Sequence, residues 1–161
     1  MAIYLVQHGE ALPEAQDPER GLSETGRAET RRIAEVAAGY GVSVARIEHS
    51  GKKRALQTAE VFAEVLRPER GIGERQGLAP KDDVRPVAAS LDPASNLMLV
   101  GHLPFMQRLV GQLVVGDPER RVFQFQGGGI VCLDRDEAGW SIRWTRTRCA
   151  SSWPRTRQAR D

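Results

Sequence analysis

Two of the three histidines in this 161-residue chain sit in matching surroundings. "YLVQHGE" places His8 directly after an apolar run, and "NLMLVGH" does the same for His102. The third, His49, stands before Ser50, Gly51, Lys52, Lys53 and Arg54. An imidazole whose ordinary pKa is about 6.5 is neutral and nucleophilic near neutral pH, and positive charge close by favours that neutral form further. A guanidinium offers a planar, two-toothed fork that matches phosphate. Two imidazoles and Arg54 brought together would make an anion pocket, with phosphate the best-fitting occupant.

Whether they meet depends on the elements that carry them. Ala2 to Val6 reads as a strand. "LSETGRAETRRIAEVAAGYG" reads as a helix capped by Ser23, with Ile33, Val36 and Ala37 at helical spacing and Gly39 or Gly41 at its end. "VARIEHS" is a second strand. "KKRALQTAEVFAEVL" is a helix with Ala55, Thr58, Ala59, Phe62 and Leu66 on one side and Pro68 beyond its end. "ERQGLAP" is read as a short third strand, and "DDVRPVAASL" as a helix interrupted or entered at Pro86. "NLMLVGH" is a strand buried on both faces, followed by the helix "LPFMQRLVGQLVVG". The remainder, "RVFQFQGGGIVCLDRDEAGWSIRWTRT", reads as a meander with turns at Gly127 to Gly129 and at Asp136 to Gly139. This order predicts a three-layer α/β/α fold whose sheet is mainly parallel, with an antiparallel portion at one edge.

In such sheets ligands bind beyond the carboxyl ends of the strands. His8, the segment Ser50 to Arg54, the pair Asp82 and Asp83, and His102 all fall at that rim. The glycines beside the histidines allow a backbone to approach a ligand closely. Other patterns carry less. Gly51-Lys52-Lys53 is no phosphate-binding loop of the Walker type, because Arg46 replaces the first glycine and Lys53 the hydroxyl residue. The Gly127 to Gly129 run reads as a hairpin turn. The "PER" triplets at 18, 68 and 118 have unrelated flanks, and His49 reads as structural. No spacing supports a metal or a cofactor.

"QHGE", "LSETGR", "HSGKKRALQTAEVFAEVL", "GLAPKDD" and "LMLVGHLPF", in that order, resemble the histidine phosphatase superfamily with its phosphoglycerate mutase-like fold, and within it the short SixA-type phosphohistidine phosphatase branch. The resemblance covers roughly residues 1 to 135 and implies roles. His8 would accept the phosphoryl group, Arg54 would clamp phosphate, and His102 would donate to phosphoryl oxygens. By position, Gln7 and Gly9 also line the anion, and Ser50 either donates to it or caps the next helix. Glu10, Asp82 and Asp83 are candidate acids or rim residues. The substrate class implied is a phosphorylated protein, a histidine phosphotransfer domain among the candidates, or a small phosphate ester.

Gln7 departs from the pattern, which has arginine there. A charge-assisted hydrogen bond contributes roughly 1.5 to 3 kcal/mol against about 1 for a neutral one, so the expected loss in rate is about ten- to a hundredfold. Lys52 or Lys53 could restore the charge; alternatively the site is a catalytically weakened phosphate- or phosphoprotein-binding module. The leaving group bears on this choice. A serine alkoxide needs a general acid, whereas an imidazole departs readily, and no single carboxylate is marked out as that acid.

Composition sets the remaining bounds. With 40% hydrophobic and 27% charged residues the chain is an ordinary globular one, and residues 1–147 are expected to form one domain. Its longest apolar runs fall far short of the roughly 20 residues of a membrane helix. The N-terminus lacks a basic leader, so a cytoplasmic location is expected. Cys132 and Cys149 have no metal-like spacing and read as packing residues. The net charge of +2 conceals a basic end: Arg143, Arg146, Arg148, Arg155, Arg157 and Arg160 against Asp161. Residues 148–161 are read as a solvated or disordered tail, with nucleic acid as a remote alternative partner.

Overall fold

The computed structural model describes residues 1–146. The expectations for Cys149 and for the 148–161 tail lie outside the described residues. Six strands form one sheet in the order β3-β2-β4-β1-β5-β6. They are β1 (Ile3–Gln7), β2 (Arg46–His49), β3 (Ile72–Glu74), β4 (Leu97–Gly101), β5 (Ile130–Asp136) and β6 (Gly139–Arg146). The first four run parallel, while β5 is antiparallel to both β1 and β6. The helices are α1 (Glu24–Gly39), α2 (Lys53–Leu66), α3 (Arg85–Ser90) and α4 (Phe105–Val115).

Alternation along the strands assigns the layers. Ile3 and Leu5 of β1 and Leu97 and Leu99 of β4 face a cluster holding Val87, Phe105, Met106 and Leu109 from α3 and α4. Tyr4, Val6, Met98 and Val100 face the other way, onto Ile33, Ala34 and Ala37 of α1 and Ala55, Ala59 and Phe62 of α2. Both faces of the central strands are therefore covered, which is why they are apolar throughout. The expected α/β/α architecture is the observed one.

Helix ends follow their chemistry. The Ser23 side chain accepts the Gly26 N–H and caps α1, and Gly41 takes the left-handed φ of +78° just beyond that helix. Pro86 lies in the first turn of α3, so the helix is entered there rather than interrupted.

Two expectations need correction. The third strand lies earlier than read, at Ile72–Glu74: Gly77 turns the chain at φ +85°, and Leu78, whose apolar side chain suggested a strand, is instead a fully buried core residue. The stretch 121–126 forms no strand either. Phe123 and Phe125 meet edge-on at 5.0 Å and 86° and pack onto the core, giving alternation without a pairing partner. The Gly127 to Gly129 turn consequently joins no hairpin. It lies against β1, with the Gly128 N–H donating to the Gln7 carbonyl at 2.9 Å.

Candidate active site

Strand register brings the histidines together. β1 and β4 are parallel neighbours with Gln7 opposite Gly101, and the His8 N–H extends the ladder by donating to the Gly101 carbonyl at 2.9 Å. The next residue of each strand is a histidine, and the two rings lie 5.0 Å apart between centroids. On the other side of β4, His49 pairs with Val100, so Ser50 emerges beside His102 and its Oγ lies 2.5 Å from His102 Nε2.

His8 Nδ1 lies 2.6 Å from the Gly9 carbonyl, so Nδ1 carries the proton and Nε2 the free lone pair. Burial, countered by the Gly9 hydrogen bond and assisted by Arg54 and Arg20, lowers the His8 pKa to about 4. Burial lowers that of His102 to about 3, with His8, Arg54 and Lys52 adding to the effect. Both rings are neutral at neutral pH, and among the described residues the charged side chains acting on them, Arg54, Arg20 and Lys52, are all cations. His102 Nδ1 and Gln7 Oε1 are buried without hydrogen-bond partners among the described residues. Buried polar atoms rarely lack partners, which makes an occupant of this site chemically attractive.

Two helices begin here. Neither the N-terminus of α2, following Ser50 to Lys52, nor that of α4, following His102, has a side-chain cap. Their first N–H groups and dipoles favour an anion. The capped α1 differs: Ser23 occupies its end, and the Glu10 carboxylate accepts from the Ser23 hydroxyl at 2.9 Å.

The expected site residues thus divide. His8, Arg54, His102 and Ser50 converge, and Gln7 lies beside them. Glu10 is occupied at the α1 cap. Asp82 Oδ2 accepts from the Ala79 N–H, Asp83 Oδ1 accepts from the Arg85 N–H, and the pair borders a separate hollow with Arg75 and Ser90. Lys52 acts on His102, but Lys53 is ion-paired with Asp17 at 2.9 Å and with Glu19 at 3.5 Å. At Gly9 the missing side chain also serves packing. A side chain there would collide with Thr30 and the Gly26 carbonyl, and its N–H donates to Thr58 Oγ1 at 3.0 Å. His49 is structural, its Nδ1 accepting the Gly51 N–H. Among the described residues no group of three or more His, Cys, Asp or Glu is placed to hold a metal ion.

Two residues were missed. Thr58 Oγ1 accepts from Gly9 and donates to the Arg54 carbonyl at 2.7 Å, tying the His8 loop to the Arg54 turn. Its place among Ala55, Ala59 and Phe62 made it look like packing. Arg20, in the loop before α1, is near enough for its charge to act on His8 and Arg54, and no periodic pattern points to it.

Neutral paired imidazoles ringed by cations, at the carboxyl edge of a mainly parallel sheet, define a phosphate-handling α/β enzyme. Residues 3–79 match the family described as the histidine phosphatase superfamily (branch 1). The chain is 29% identical over 156 residues to the phosphohistidine phosphatase SixA of Escherichia coli, covering 92% of this chain and 95% of that one. It is 34% identical over 113 residues to an uncharacterized protein of Picosynechococcus sp., covering 65% and 67%. The solved structure of the protein histidine phosphatase SixA complexed with tungstate superposes with a TM-score of 0.79 at 28% identity, covering 91% of this chain and 97% of that one. The chain belongs to the histidine phosphatase superfamily and is a hydrolase of that group.

Proposed function

We propose that this hydrolase removes phosphate from the phosphohistidine of a signalling protein, passing the phosphoryl group through His8. One observation carries the reading: the 2.6 Å contact from His8 Nδ1 to the Gly9 carbonyl leaves Nε2 unprotonated, on a ring kept neutral by its surroundings.

In the first step a bond forms from His8 Nε2 to phosphorus while the phosphorus–nitrogen bond of the substrate breaks. The departing imidazole keeps the electron pair and takes a proton from water. In the second step water attacks phosphorus, the bond to Nε2 breaks, inorganic phosphate leaves, and the surplus proton passes to solvent. Charge dispersed over the phosphoryl oxygens is met by Arg54 and the uncapped N-termini of α2 and α4. With the His102 Nε2–H donating to Ser50 Oγ, the serine hydroxyl keeps its own hydrogen for a phosphoryl oxygen.

The charges around the site bear on the leaving group. Glu10, Asp82 and Asp83 all have other partners, and the charged side chains acting on His8 and His102 among the described residues are cations. A rim of that kind suits an imidazole, which leaves without an acid, better than an alkoxide. The similarity to SixA over most of both chains points to the same substrate class.

The test offers a phosphohistidine peptide, a phosphotransfer domain and a phosphoserine peptide to the wild type and to His8→Ala. Rapid loss of phosphohistidine, slow loss of phosphoserine and an acid-labile label trapped on the wild type alone are expected. Turnover no faster than that of His8→Ala, in a protein that still binds phosphate, would leave a phosphate-binding module instead.

A further inference from the structure

We propose that Arg20 is the second guanidinium of this phosphate site, so that the phosphoryl group is held between Arg54 and Arg20 while the uncharged Gln7 beside His8 contributes only a carboxamide. The proposal deepens the phosphatase reading and rests on it for the identity of the anion.

The geometry begins with the loop between β1 and α1, which is built onto the helix that carries Arg54. Lys53 Nζ binds Asp17 Oδ2 at 2.9 Å, and the Leu22 N–H donates to Gln57 Oε1 at 2.6 Å. Lys53 and Gln57 lie one turn apart on α2 and flank Arg54 along the chain. Asp17 also accepts the N–H groups of Glu19 and Gly21, and the Arg20 N–H donates to its carbonyl at 2.9 Å. Gly21 packs so closely on Lys53 and Gln57 that a Cβ would lie 2.9 Å from each. These contacts hold Arg20 at φ +52°, a conformation uncommon for an arginine and one that fixes where its side chain departs.

The guanidinium is left with donors to offer. Its Nε donates to the Leu12 carbonyl at 3.3 Å, and among the described residues it forms no ion pair. Lys53, by contrast, is engaged by Asp17 and Glu19 and cannot serve as the compensating charge. Arg20 is near enough for its charge to bear on both His8 and Arg54. Two guanidinium groups whose charges bear on one another, with neither in an ion pair among the described residues, repel until an anion lies between them.

Inorganic phosphate binding, measured by calorimetry, and phosphohistidine-peptide turnover test this on the wild type, Arg20→Ala, Arg20→Lys and the double variant Arg20→Ala with Gln7→Arg. Arg20→Ala is expected to weaken phosphate roughly ten- to a hundredfold and to raise KM, with an unchanged melting temperature. Arg20→Lys should recover part of the loss, and the double variant should bind phosphate markedly more tightly than Arg20→Ala alone. Phosphate affinity in Arg20→Ala within about twofold of wild type overturns the assignment. So does a loss that neither Arg20→Lys nor Gln7→Arg repairs, since that result makes Arg20 a loop-holding residue. A loss of phosphate affinity in a protein that never turns over phosphohistidine keeps the Arg20 assignment and removes the phosphatase reading. Full turnover with Arg20→Ala unimpaired does the reverse, and a wild type that binds no phosphate overturns both.

Discussion

Ser50 Oγ lies 2.5 Å from His102 Nε2 because β2 and β4 end side by side. Removing the hydroxyl leaves both ring nitrogens of a buried imidazole unsatisfied, His102 being 1% exposed. Ser50→Ala is expected to lower stability by about 1 kcal/mol and kcat by roughly tenfold, whereas Ser50→Thr keeps most of both. Denaturant melts and steady-state kinetics on the three proteins check this.

The histidine pair should titrate unusually low. Proton NMR of the imidazoles is expected to place the midpoint of His8 near pH 4 and that of His102 near pH 3. Unfolded histidines bind protons as pH falls through about 6.5, the folded ones do not until much lower, and so stability declines as pH falls from about 6.5 toward 4. Urea unfolding at a series of pH values should show that decline, and His102→Gln should flatten it. A midpoint near 6.5 for His8 would remove the basis for its neutral, nucleophilic form.

Thr58 is the bolt between the His8 loop and the Arg54 turn. Thr58→Val keeps the shape and leaves the Gly9 N–H unpaired in a buried setting, an expected cost of about 1 to 3 kcal/mol. The effect on kcat should exceed that on phosphate affinity, because the positions of His8 and Arg54 are loosened while their charges remain. Parallel calorimetry and kinetics separate the two quantities.

Gly26, the glycine of "LSETGR", stands where α1 touches the loop after β1. A side chain there would overlap the backbone of Glu10. Within a helix, Gly→Ala ordinarily stabilises by up to about 1 kcal/mol. Here Gly26→Ala is expected to destabilise by about 1 to 3 kcal/mol, because neither backbone can yield. Thermal melts of the variant beside Gly39→Ala, whose added Cβ meets nothing within 4 Å, distinguish a packing effect from a propensity effect.

Strand ends and helix caps were legible from local chemistry. Ser23 announces α1, and the apolar runs ending at His8 and His102 announce both strands and what they present. The pairing of β1 with β4 was not legible, although the convergence rests on it, because register is a property of two distant segments. Arg20 was hidden for a related reason: its position depends on Asp17, Lys53 and Gln57 meeting across the loop. The Phe123-x-Phe125 alternation misled because aromatic burial and strand pairing impose the same period of two.

The backbone around His8 is held from several sides: its N–H by Gly101, its carbonyl by Gly128 at 3.3 Å, and the following N–H by Thr58. A nucleophile anchored in this way cannot lean toward its target. In the proposed reaction it is the phosphorus that must travel, first onto a stationary nitrogen and then off it to water. The distance the substrate must close is accordingly set by how deeply its own phosphoryl group can enter.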